Sequence, residues 1–185
     1  MDEQYKKMTS FIREIGADSV GHTEKTYLAH AVAVYNDLRR WGGDEDWCRA
    51  AMFHSIYGTE LFQGFTLPLD RRDEVRDLIG ERAEKYAYWN CAMQRDEFDR
   101  SVFQSEGPYF LQDRFTGEKI ELTDEEFESL CRMHLCDWVE QIERGKMWDY
   151  RRAAYRRMAE RLGGCALAEY DRAFANEHAH ASTKP

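Results

Sequence analysis

Apolar residues recur along most of this chain at the three-to-four-residue spacing of amphipathic helices. Met8, Phe11, Ile12 and Ile15 keep that spacing and stop at Gly16. From Thr23 to Trp41 the pattern places Tyr27, Val34, Leu38 and Trp41 on one side, and His30 shares that side. Gly42 and Gly43 end this second helix. Asp44 has the chemistry of an N-cap and opens a third helix through Ala50, Ala51 and Phe53 to His54. The run Tyr57-Gly58-Thr59-Glu60, followed by Gly64 and Pro68, reads as loop. A short helix capped by Asp70 is expected up to Ile79, closed by Gly80, and another from Glu81 through Trp89 and beyond.

Between about Ser101 and Leu122 the helical period fails. Phe110 to Arg114 and Glu118 to Leu122, joined through Phe115-Thr116-Gly117, read as a small β-hairpin near residues 109–122. Thr123 and Glu126 form a capping box for a helix with Phe127, Leu130, Cys131, His134, Trp138 and Ile142 on one stripe. Two more helices are expected, Met147 to Leu162 and Ala166 to Asn176. The fold class is therefore all-α, about seven or eight helices with one small hairpin. One domain is expected over residues 1–176 and a flexible tail over 177–185.

Composition adds limits to this picture. A chain of 185 residues with 43% hydrophobic and 14% aromatic residues can bury a substantial core. Its formal net charge of −9 lacks the basic footprint of a nucleic-acid-binding surface. No run of about eighteen apolar residues suggests a membrane span, and no charged-then-apolar leader opens the sequence. The five cysteines form no zinc-ribbon pairs. The expectation is a cytoplasmic protein with a small-molecule substrate, with no nucleic acid or membrane as partner and with homo-oligomer formation left open.

Candidate chemistry lies on the apolar stripes. His134 and Asp137, three apart on one helix, project from neighbouring positions of the same face. A carboxylate on the inner side of a helix is costly unless paired or metal-bound. A local His–Asp hydrogen bond would satisfy the pair, and a single histidine on an apolar stripe is more often a hydrogen-bonded core residue than a ligand. Taken together with His30 and His54, however, the pair offers the imidazole and carboxylate donors that one divalent transition metal (iron, manganese or zinc) takes. The expectation is that His30, His54, His134 and Asp137 meet in one coordination sphere. His22 is assigned to a cap or loop, and His178 and His180 to the tail.

The order of these residues resembles the HD-domain superfamily of helical metal enzymes. Tyr27-Leu28-Ala29-His30-Ala31-Val32-Ala33-Val34 is similar to that family's first ligand helix. Ala50 to Gly58, with His54, is similar to the segment that bears its His-Asp doublet, and Leu135 to Glu140 to the one that bears its late aspartate. The resemblance spans about residues 22–142. It implies a helical fold, one or two metals and a phosphohydrolase-type activity. The doublet's aspartate is replaced here by Ser55, and a neutral hydroxyl cannot bridge two dications. The expected site is therefore mononuclear, with His134 as a fourth ligand. The surrounding segment resembles a divergent, uncharacterised HD-like branch to which no activity attaches.

Glu60, in the loop after His54, is the candidate general base, against the simpler reading of a solvated loop carboxylate. Tyr57 is either a second catalytic group or a packed aromatic. Glu84 and Asn90 are indistinguishable from ordinary polar surface, and the Arg151–Arg161 face reads as salt-bridged rather than phosphate-binding. Three functions follow. The first is a metal-dependent hydrolase of a small polar metabolite. The second is a non-haem iron oxygenase using His30, His54 and Asp137 as a facial triad. The third is a metal-free HD-like binding or structural protein.

Overall fold

A computed structural model describes residues 3–177 and is mainly helical, with two small antiparallel hairpins among the described residues. The expected tail, with His178 and His180, falls outside the described residues apart from Glu177, which pairs with Arg152. Helix α1 (Glu3–Glu14) is followed by a tight hairpin of β1 (Gly21–His22) and β2 (Lys25–Thr26). Thr23 and Glu24 at its turn have left-handed backbones, with φ of 42° and 62°. This turn corrects one expected boundary. Helix α2 (Tyr27–Arg40) is capped by the Thr26 hydroxyl and does not extend back to Thr23.

Helix α3 (Glu45–Met52) begins as expected, with the Asp44 carboxylate accepting from the Trp47 amide. Asp70 does not cap its helix. It lies in a 3₁₀ turn (Leu69–Arg71) that leads into α4 (Arg72–Ile79). Helix α5 (Glu81–Ala92) ends sooner than the continuous pattern suggests. Met93 breaks it with an extended backbone and a bridge to Asp113, and α6 (Arg95–Val102) starts anew.

The expected hairpin is β3 (Tyr109–Gln112) paired with β4 (Lys119–Leu122), Tyr109 opposite Leu122. The long helix α7 (Asp124–Gly145) has both bonds of the Thr123–Glu126 capping box. Helices α8 (Arg152–Leu162) and α9 (Gly164–Ala175) complete the fold; residues 147–150, assigned to the start of α8 by periodicity, form a turn instead.

Helix α7 is the structural axis, packed against α2, α8 and α9, while α3 lies between α2 and α5. Phe127, Leu130, Leu135 and Ile142 of α7 are all buried in the core. The cost of removing one of the larger of these side chains is about 3–5 kcal/mol. That core fixes where α2, α3 and α7 come closest. None of the described helices is long and apolar enough to cross a membrane.

Candidate metal centre

His30 comes from the middle of α2, His54 from the turn just beyond α3, and Asp137 from the middle of α7. All three are buried and their donor atoms converge. His30 Nε2 lies 3.2 Å from His54 Nε2 and 3.0 Å from Asp137 Oδ1, and the third edge, His54 Nε2 to Asp137 Oδ1, is 3.3 Å. Adjacent ligands on a cation with bonds near 2.1 Å are separated by about 3.0–3.4 Å, between octahedral and tetrahedral angles. The triangle therefore has the dimensions of one face of a coordination shell.

The far edge of each ring settles which nitrogen is free. His30 Nδ1 is 2.7 Å from Glu140 Oε2, and His54 Nδ1 is 2.7 Å from the carbonyl of Ala51. Neither oxygen can donate, so each Nδ1 carries a hydrogen and each Nε2 faces inward, where it can offer a lone pair to a metal. Asp137 Oδ1 also accepts from Gln141 Nε2 at 2.9 Å, and Gln141 is in turn held by the Thr23 hydroxyl at 3.0 Å.

Two imidazole nitrogens and a carboxylate facing one point call for a cation. Without a metal, a proton answers. Burial opposes charging of His30, but Asp137 and Glu140 outweigh it and raise its pKa to about 9. Burial likewise opposes ionisation of Asp137, and the imidazoles of His54 and His30 overcome it, holding the carboxyl well below its ordinary range. Glu140, beside His30, Arg144 and Lys25, is lowered to about 2 against the effect of its own burial. A metal ion and a proton thus compete for the same donors.

His134 does not join this sphere, which corrects the expected four-ligand set. It is fully buried, and its Nδ1 faces Asn90 Oδ1 at 3.3 Å. Its Nε2 accepts from Arg151, whose guanidinium also pairs with Asp99. Burial first, and then the charges of Arg151 and Arg95, push the His134 pKa far down, so the ring stays neutral. Asn90 donates onward to the His54 carbonyl at 2.8 Å. His134 therefore supports the centre from behind, through a chain running from Asp99 by way of Arg151 and Asn90.

The proposed catalytic pair is also elsewhere. The exposed Glu60 carboxylate accepts from the Arg95 backbone amide at 3.0 Å, where it anchors the start of α6. Tyr57 is buried and donates to Glu84 Oε1 at 2.9 Å. Glu84 is itself buried, and both its oxygens are bound to Arg72, at 2.7 and 2.9 Å. Neither Glu60 nor Tyr57 lines the cavity beside the centre.

Sequence reasoning missed two participants. Glu140 lies off the apolar stripe of α7, yet its side chain is only 4% exposed and it holds His30. The signal was its three-residue step from Asp137, the same step that links Asp137 to His134. His22, assigned to a cap or loop, is stacked on His30 with ring centroids 4.2 Å apart and planes 7° from parallel. Burial, then the neighbouring His30, lower its pKa to about 4. His22, His54, Ser55 and Asp137 border a cavity of about 170 Å³, with Phe62 and Trp138 on its apolar walls.

The profile of a family described as a domain of unknown function (DUF6817) matches residues 11–95. The chain is similar to that family over those residues, fewer than half of its 185. The match takes in both histidines of the triangle and stops short of α7. No curated protein and no solved structure matches the chain.

Proposed function

We propose that this chain is a mononuclear metal-dependent enzyme acting on a small polar metabolite, with hydrolysis as its reaction. The observation that carries this reading is the triangle of His30 Nε2, His54 Nε2 and Asp137 Oδ1, with edges of 3.0–3.3 Å and both Nδ1 hydrogens tied elsewhere. A divalent cation held by these donors supplies Lewis acidity toward water and a substrate oxygen.

The chain's own residues supply the rest. Glu140 and the Ala51 carbonyl fix the two rings, and Gln141 fixes the carboxylate. Ser55, bordering the cavity where HD-type proteins have a second carboxylate, offers only a neutral hydroxyl. That limits the site to one metal.

One observation favours a second reading, a non-haem iron oxygenase. With His134 engaged by Asn90 and Arg151, the donor set is reduced to two imidazoles and one carboxylate, which is the facial-triad composition.

Elemental analysis of protein purified without an affinity tag, followed by calorimetric titration with Fe(II), Mn(II) and Zn(II), tests both readings. At most one metal per chain is expected, lost in Asp137→Ala and little changed in Ser55→Ala. Iron with oxygen uptake would select the oxygenase. No metal affinity in the wild type would leave the metal-free binding protein, and two metals per chain would overturn the mononuclear assignment.

A further inference from the structure

The cavity beside the triangle carries a charge that the protein does not neutralise. Arg95, the first residue of α6, borders it and is only 5% exposed. Its Nη1 donates to the Tyr150 hydroxyl at 2.9 Å. Among the described residues no carboxylate forms an ion pair with its guanidinium, and Nε and Nη2 find no acceptor. The other deeply buried guanidinium near the centre shows what is missing, since Arg151 is paired with both oxygens of Asp99. A guanidinium keeps its charge in proteins, and a buried charge without a counter-charge is costly.

One further residue of the cavity wall is a donor without an acceptor. Trp138 borders the cavity and its buried indole N–H, which can only donate, has no acceptor. The Ser55 hydroxyl, which can donate or accept, also borders the cavity. The remaining walls include Leu61, Phe62 and Met147, which are apolar. The cavity, about 170 Å³, falls below the range of roughly 300–1,000 Å³ that drug-sized ligands occupy.

We propose that Arg95, braced by Tyr150, is an anion-binding subsite, and that the site takes a small organic anion with its charged group on the guanidinium. This inference rests on reading the cavity as the substrate site of the proposed enzyme. A carboxylate or a phosphate would each satisfy Nε and Nη2 through two parallel hydrogen bonds. The apolar walls take the uncharged part of the molecule and bring it toward His54 and Asp137. The size of the cavity favours compact acids over nucleotides.

Inorganic phosphate and benzoate, titrated into wild type, Arg95→Gln and Arg95→Lys, test the assignment, with tryptophan fluorescence and calorimetry as readouts. Wild type should bind at least one of the two saturably, and phosphate against benzoate separates the two anion chemistries. Arg95→Gln should weaken that binding roughly 10- to 100-fold, the loss of a charged hydrogen-bond partner. Arg95→Lys should retain part of it and keeps the charge if the glutamine variant does not fold. Both variants should bind Mn(II) as wild type does. Equal anion binding by wild type and a folded Arg95→Gln, or no saturable binding of either anion by wild type, would overturn the subsite. Arg95-dependent anion binding in a protein without Mn(II) affinity would instead overturn the metal reading and leave the subsite standing.

Discussion

Glu140 Oε2 lies 2.7 Å from His30 Nδ1, and this contact turns the opposite nitrogen of His30 toward Asp137, 3.0 Å away. The same carboxylate takes a 2.7 Å contact from Arg144 Nη2, and its other oxygen meets Lys25 Nζ at 2.6 Å. Glu140 is thus held from two sides while it orients the ring. A carboxylate on the far side of a ligating imidazole fixes its tautomer and raises its basicity. Glu140→Gln should therefore lower the affinity for Mn(II) or Zn(II) by about 10- to 100-fold without changing the stoichiometry. Calorimetry on the folded variant measures this, and unchanged affinity would show that His30 needs no carboxylate behind it.

The protonation of His30 gives metal-free protein a characteristic pH response. Its folded pKa, raised to about 9, exceeds its unfolded value of 6.5. The folded state therefore binds the extra proton, and the stabilisation is complete below pH about 6.5 and lost as pH rises through about 9. After chelation, the wild-type melting temperature should fall across that window, and in His30→Gln the fall should be smaller. A bound metal replaces the proton, so loading with Zn(II) should remove the dependence. A flat profile in chelated wild type would count against this linkage.

His134 belongs to the support of the site. His134→Asn should leave one metal per chain but destabilise the fold, because Arg151 and Asn90 each lose a buried partner. A cost of about 1–3 kcal/mol is expected from unsatisfied buried groups. Urea denaturation paired with a Mn(II) titration separates the two effects. Loss of metal binding in a variant that still folds would place His134 back among the ligands.

Gly58 shapes the loop that follows His54. Its φ of +75° lies in the left-handed region, and a Cβ there would approach Thr66 Cγ2 to 2.6 Å. Its carbonyl also accepts from Arg114 Nη2 at 2.9 Å. Gly58→Ala should therefore destabilise the protein by about 1–3 kcal/mol from backbone strain. It should also perturb Thr59 and Phe62 at the cavity wall. Thermal denaturation checks the first effect, and phosphate titration the second.

Much of the fold was legible in the spacing of apolar residues, because that spacing reflects which helix faces must leave water. The Thr123 capping box, the Asp44 cap and the β3–β4 hairpin carry their own local chemistry, and each stands where the sequence pattern puts it. The end of α5 was not legible. Met93 leaves the helix to bridge Asp113, a partner some twenty residues away that no local period reports.

The sequence by itself determined that His30, His54 and Asp137 lie on the inner faces of their segments, since each follows an apolar stripe. Which groups meet was a decision of tertiary structure, and α7 shows why. Three residues advance a helix by about 300°, so each such step turns the side chain back by about 60°. His134, Asp137 and Glu140 consequently fan out across the helix. His134 turns toward Asn90 of α5 and Tyr155 of α8, Asp137 points at the two imidazoles, and Glu140 reaches the rear of His30 on α2. Spacing placed His134 and Asp137 on one face and left Glu140 off the apolar stripe. Only the packing of α2, α3, α5 and α8 around that face assigned one to the core, one to the centre and one to the ring behind it.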